Sequence, residues 1–404
     1  MICLRIAVCL CVMGLLSACE TTGPQVNDAA PAGTLACRVG PESATRSVPV
    51  EVWRGLEPAL NNYSTQKVCQ RLEEVSHRLQ DQGVAMRFEV MGTVKVHPTL
   101  GRANNAAMQT AVSATPGHLT LVVVGAITQC GGASGYILGC TPRIGAPLVY
   151  LKPHSTFSDL APEWVIWAHE MGHTVGLGHP DSAVSPTTFA QRIMTYMPMP
   201  QSTSLVPPEP AYFPGLGLMA DGGGAAAGAA VGRNPQADAP APLRPVTVQE
   251  LIPFVLRAGQ HGLPLAPLEH LNDAALLTLR VLLEPAASTD SALLARMSEA
   301  VRINALVPLA ELGRDDAQAF VRDYLMRQTG SAHQNVRRYG LWALGRGQLR
   351  HPTEATRLFL QQASEAGFWC ADPNKDSANC TALANAAQEA RREFADPKQQ
   401  PTKR

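Results

Sequence analysis

Histidines at positions 169, 173 and 179, with a glutamate directly after the first and a glycine at 176, prescribe a local geometry on their own. The stretch reads His169-Glu170-Met171-Gly172-His173-Thr174-Val175-Gly176-Leu177-Gly178-His179. Asp159 to Trp167 before it has a helix-like pattern, with Pro162 near the start, where a missing N–H is tolerated. His169 and His173 are then one helical turn apart on the same face. Gly176 is able to adopt the left-handed conformation that ends a helix, and the resulting bend returns His179 toward the pair. Three neutral imidazole nitrogens meet around one point and leave a coordination position open.

Zinc suits an all-imidazole donor set, and a water held at its open position has a pKa of about 7. Glu170, adjacent to a ligand, would take the proton from that water and later deliver it to a leaving amine. The ion would also polarise the scissile carbonyl. The plainer reading of His169 and His173, polar residues on an amphipathic helix, leaves Glu170, Gly176 and His179 unexplained together. A rival of another class is a noncatalytic surface protein with a structural zinc site, although such a site has no need of Glu170. A cell-wall peptide hydrolase is a third reading.

The motif matches the HExxHxxGxxH pattern and so resembles the metzincin zinc proteases. Downstream, Ile193-Met194-Thr195-Tyr196-Met197 resembles their Met-turn, with Met194 as the methionine beneath the metal. Tyr196 matches the tyrosine of astacin-like and serralysin-like members, implying a role near the metal or the oxyanion, whereas the double glycine of the zinc motif is more matrixin-like. The segment Cys130 to Cys140 resembles the edge strand upstream of the active-site helix, to which an extended peptide would add by main-chain hydrogen bonds; a glycine-rich disulfide loop without substrate contact fits the same residues. The resemblance covers about residues 84 to 197, closing with a helix at 248 to 257. It implies an α+β fold with a twisted mixed sheet, an active-site helix, one catalytic Zn2+ and a protein or peptide substrate. No cysteine-switch flanks surround Cys37, and glycine-rich calcium repeats are absent from the sequence.

Residues 1 to 18 have the form of a secretory signal, with Arg5 as the charge and an apolar run from Ile6 to Leu16. Leu16-Ser17-Ala18-Cys19 resembles the lipobox of bacterial lipoproteins, which implies lipid on Cys19; an ordinary cleaved signal or an uncleaved anchor is the alternative. With Glu20 next, the resemblance implies a lipid-anchored protein of the bacterial cell envelope, at the outer membrane. Outside the signal and Cys19, six cysteines remain. An even number in an exported chain suggests disulfides, and Cys130 with Cys140 and Cys370 with Cys380 would close short loops, leaving Cys37 with Cys69.

The 404 residues suffice for two or three domains, and 33 Lys and Arg against 33 Asp and Glu provide no basic field, so nucleic acid is not an expected partner. Residues 19 to 36 read as a flexible tether, and 37 to 258 as the catalytic domain. Within it a helix is expected around Thr65 to Gln82, with strands at Met86 to Val96, Leu119 to Gly125 and Leu148 to Leu151. The Pro/Ala/Gly-rich segment 198 to 245 reads as a mobile loop. Thr247-Val248-Gln249-Glu250 forms a capping box ahead of an apolar helix. From 266 to 396 the pattern is helical, with stops expected at Gly313, Gly330, Gly347 and Gly367, and 397 to 404 read as a disordered tail. Val301 to Leu306 and Val336 to Leu341 recur 35 residues apart, which resembles HEAT-type repeats, although an irregular bundle fits two copies as well. Such a helical region would offer a surface to a protein partner.

Overall fold

The computed structural model describes residues 29–217 and 261–395, apart from 45, 58–59, 62, 99, 132, 154–161, 180–192, 195–201, 265–272, 285–298, 329–333 and 371–376. Cys19, the capping-box helix and the terminal tail lie outside the described residues. The chain is α+β, with a mixed sheet and a helical C-terminal region.

A central sheet runs in the order β1-β3-β2-β6-β10-β9, where β1 is Leu35–Val39, β2 Ser47–Arg54, β3 Arg87–Met91, β6 Leu119–Val123, β9 Gly139–Cys140 and β10 Leu148–Leu151; β4, Lys95–Val96, pairs with β2 beside this path. β3, β2, β6 and β10 are mutually parallel, and the outer strands β1 and β9 run antiparallel to their neighbours. Side chains alternate between two cores, as the period of a strand requires. Leu119, Leu121 and Val123 of β6, with Val149 and Leu151 of β10, face one core; Val122 and Tyr150 face the other. Both faces are therefore covered, which is why β6 reads as a nearly unbroken apolar run.

Helix α1, Thr65–Gln80, meets the expected span within its frayed end. Ser64 caps it by accepting from the Lys67 N–H at 3.3 Å, and Val68, Leu72, Val75 and Leu79 form one buried stripe. The Cys37–Cys69 disulfide joins this helix to β1, and Cys130–Cys140 and Cys370–Cys380 are also formed, as the sequence suggested. The run expected from Met86 to Val96 is broken into β3 and β4 by Gly92, whose φ of +75° suits glycine. β1 begins at Leu35, and Ala30 and Ala36 are already buried. Within 198 to 245, expected to be a mobile loop, residues 202–217 are instead packed: Leu205, Phe213 and Leu216 are buried, and the Arg46 guanidinium donates to the Leu216 carbonyl at 2.8 Å. A few large apolar residues spaced among the prolines and glycines supply the burial that composition alone does not reveal.

A second sheet runs β11-β8-β7-β5, with β5 at Arg102–Ala103, β7 Ala126–Cys130, β8 Ala133–Ile137 and β11 His261–Pro264; the short helix α2, Asn105–Thr110, follows β5. This placement corrects the edge-strand expectation for Cys130 to Cys140. β8 pairs with β7 on one side and β11 on the other, so its backbone is committed, and of that segment only Gly139–Cys140 lies at the rim of the central sheet. Gly131, with a φ of +58°, lies between β7 and β8 of the second sheet, and the chain passes at Leu138 from β8 to β9 of the central sheet, so a segment continuous in sequence is divided in space.

After α3, the zinc-motif helix Glu163–Thr174, the helices are α4 Asp273–Leu283, α5 Glu299–Leu312, α6 Asp315–Arg327, α7 Gln334–Arg350, α8 Glu354–Ala363, α9 Ala366–Trp369 and α10 Ser377–Ala395. The recurring segments fall on α5 and α7, which pack on each other. Gly313 ends α5 as expected, but Gly347 lies inside α7, where a side chain would meet the Ala310 carbonyl oxygen at 2.1 Å. That glycine permits a close crossing and does not stop a helix. Gly367 likewise lies inside α9.

The helices pack directly on the second sheet. Arg346 of α7 binds Glu311 of α5 at 2.5 Å with both side chains buried, and the same Glu311 oxygen accepts from Ser134 of β8 at 2.8 Å. Asn304 accepts the Tyr136 N–H at 3.3 Å, and Tyr339 donates to the Ile127 carbonyl at 3.2 Å. Buried Lys152 lies 3.6 Å from the centre of the Tyr136 ring, with Tyr339 beyond. Replacing Arg346 by Met should leave the Glu311 charge buried without its partner and destabilise by about 3–5 kcal/mol, measured by denaturant unfolding; Glu311→Leu together with Arg346→Met should recover most of that loss.

Candidate metal centre

Helix α3 is buried along its whole length, consistent with its apolar face running all round. Pro162 stands at its N-cap, and Glu163 in the first turn binds Arg71 of α1 at 2.5 Å, which fixes the start of the helix. The other end closes by a Schellman motif: the Gly176 N–H donates to His173 O at 3.1 Å and the Leu177 N–H to Gly172 O at 3.0 Å. Gly176 carries the φ of +94° that this ending demands, as its position in the motif predicts.

The turn brings His179 back onto the helix. Its Nε2 lies 3.1 Å from Nε2 of His169 and 3.1 Å from Nε2 of His173, and the donor atoms of all three residues are within 4.8 Å of one another. All three side chains are buried. His169 donates from Nδ1 to the Ile193 carbonyl at 2.6 Å, and His173 from Nδ1 to the Leu177 carbonyl at 2.7 Å. Those bonds place the proton of each neutral ring on Nδ1 and turn the Nε2 lone pair toward the centre. Burial lowers the pKa of His173 to about 4, so its neutral, ligating form prevails at pH 7.

Ring nitrogens this close need a proton or a cation between them. Four tetrahedral ligands about 2.0–2.1 Å from zinc have nitrogens about 3.3 Å apart, close to the separations here. The three residues could therefore hold a metal ion, and an all-imidazole donor set suits zinc.

Glu170 follows His169 directly in the helix, is buried, and is not one of the three clustered residues. Its carboxylate Oε2 accepts from the Thr141 hydroxyl at 2.8 Å, and a Cβ on Gly139 would lie 2.6 Å from both its Cγ and Oε1. Met194 is fully buried under the helix, and a Cβ on Gly172 would come within 2.3 Å of its sulfur. Met194 thus packs against the helix that carries His169 and His173, and Tyr196 lies outside the described residues. Sequence reasoning did not assign Thr141, Gly139 or Gly172 to the site. Only Gly172 carried a signal, as a glycine in a helix interior, where it costs about 1 kcal/mol relative to alanine unless something packs close.

Gly172→Ala should force Met194 or the helix aside, with a loss of about 1–3 kcal/mol in stability and weaker metal retention during dialysis. Comparing unfolding midpoints and bound metal in the two proteins checks this. The chain matches no protein-family model and no curated protein.

Proposed function

We propose that the chain is a zinc-dependent endopeptidase of metzincin type. The observation that carries this reading is the pairing of a three-imidazole cluster with a buried carboxylate on the residue that directly follows the first of the three histidines in the helix. A site serving stability alone has no use for such a carboxylate. His169, His173 and His179 would hold the ion. Zinc, when bound, supplies Lewis acidity that activates a water at neutral pH and polarises a substrate carbonyl.

The protein's own groups perform the proton transfers. Glu170 takes a proton from the attacking water as the C–O bond forms, and returns it to the departing amine nitrogen as the C–N bond breaks. The carbonyls of Ile193 and Leu177 keep two of the ligand rings in one tautomer throughout. β9, at the rim of the sheet beside Glu170, offers main-chain groups along which an extended peptide would align, which favours tolerance of sequence. Tyr196 belongs to the same reading as a neighbour of the metal or the oxyanion.

The chain is further read as exported and held at the outer membrane of a bacterial envelope by lipid on Cys19; three disulfides support an oxidising compartment. Among the described residues, no helix is long and apolar enough to cross a membrane. The α5 and α7 recurrence is read as a HEAT-type pair, whose outer surface would receive a protein partner.

Metal analysis of the purified protein should find about one zinc per chain, and His173→Ala should abolish it. Glu170→Ala should retain the zinc while lowering turnover of an unfolded protein substrate by at least about a hundredfold. Equal activity in that variant rules out this mechanism.

A further inference from the structure

The contact between β9 and α3 does more than close a gap in the core. Thr141 directly follows Cys140, whose disulfide to Cys130 ties it to β7. Its hydroxyl reaches two oxygens of Glu170, the carboxylate Oε2 at 2.8 Å and the main-chain carbonyl at 3.0 Å. A hydroxyl has one proton to donate, and the nearer acceptor, the carboxylate oxygen, takes the larger share. On the other side of the carboxylate, the absence of a side chain at Gly139 lets Oε1 and Cγ come against the strand.

Glu170 is thus gripped by residues on either side of Cys140. A glutamate side chain has three rotatable bonds and loses substantial rotamer freedom when it is ordered. A base that must meet one proton of one water profits from having that freedom removed before substrate arrives.

We infer that Thr141 is a positioning residue, whose hydroxyl holds the Glu170 carboxylate in the place from which it takes up and returns the transferred proton. The inference deepens the endopeptidase reading and rests on it for its catalytic consequence, whereas the hydrogen bond itself does not. During the reaction Thr141 keeps its own proton. The Glu170 carboxylate gains a proton from water and loses it to the amine, so it is restored.

Two measurements on the full chain separate these levels. In metal-free protein, the antisymmetric carboxylate stretch of Glu170 is isolated by subtracting the infrared spectrum of Glu170→Gln. Thr141→Val, nearly the same shape without the hydroxyl, should shift that band, and Thr141→Ser should leave it in place. In zinc-loaded protein with a peptide substrate, Thr141→Val should lower kcat roughly 10- to 100-fold with KM within about twofold, and Thr141→Ser should recover most of the rate. An unshifted band in Thr141→Val overturns the inference, as does a shifted band with unchanged kcat. Wild-type protein that binds zinc and cleaves no peptide, yet shows the band shift, overturns the endopeptidase reading while the hydrogen bond stands. If Thr141→Val fails to fold, Thr141→Ala and Thr141→Ser compared by the same band decide the matter.

Discussion

The mutual approach of three imidazole nitrogens is the constraint around which the rest of the site is arranged. Neutral rings do not crowd their lone pairs together unless other bonds leave them no alternative. Here those bonds are supplied by Ile193 and Leu177, whose carbonyls take the Nδ1 protons, and by Gly176, which turns the chain sharply enough to return His179. Each depends on α3 being held immobile, and α3 is held by burial on every side. The central sheet, with α1 and the segment around Phe213, forms the wall that makes this possible.

Close approach without side chains recurs at the points that matter. Gly172 admits the sulfur of Met194, Gly139 admits the carboxylate of Glu170, and Gly347 admits the Ala310 carbonyl at the α5–α7 crossing. In each case the free energy lost by placing glycine in a regular element is offset by contacts that a methyl group would exclude. The glycines of this chain are therefore partly packing devices, and reading them as helix stops or loop markers overlooks that role.

The C-terminal helices and the second sheet share a buried polar seam. Ser134, Glu311 and Arg346 satisfy one another there, and Lys152 lies against Tyr136, whose ring also approaches Tyr339. Burying an ion pair is costly unless its geometry is good, so such a seam specifies one docking arrangement more than it adds stability. The hairpin of β7 and β8, which precedes β9 in the chain, is thereby gripped from behind by the helices. Placement of the rim strand beside Glu170 is thus connected, through contiguous contacts, to residues nearly two hundred positions away.

Sequence spacing alone pointed to the three-histidine cluster, the helix that carries two of its members, the left-handed glycine that returns the third, the three cysteine pairs, and β3, β6 and β10 of the central sheet, but not to β1, β2 or β9. These follow from local rules: a helical turn puts positions four apart together, and alternating burial marks a strand. Tertiary structure alone decided that Cys130 to Cys140 splits between two sheets, that residues 202–217 pack against the body, and that Thr141 and Gly139 hold Glu170. Those facts depend on which surfaces meet across long stretches of chain. A threonine 29 residues before its partner carries no local mark of the hydrogen bond it will make.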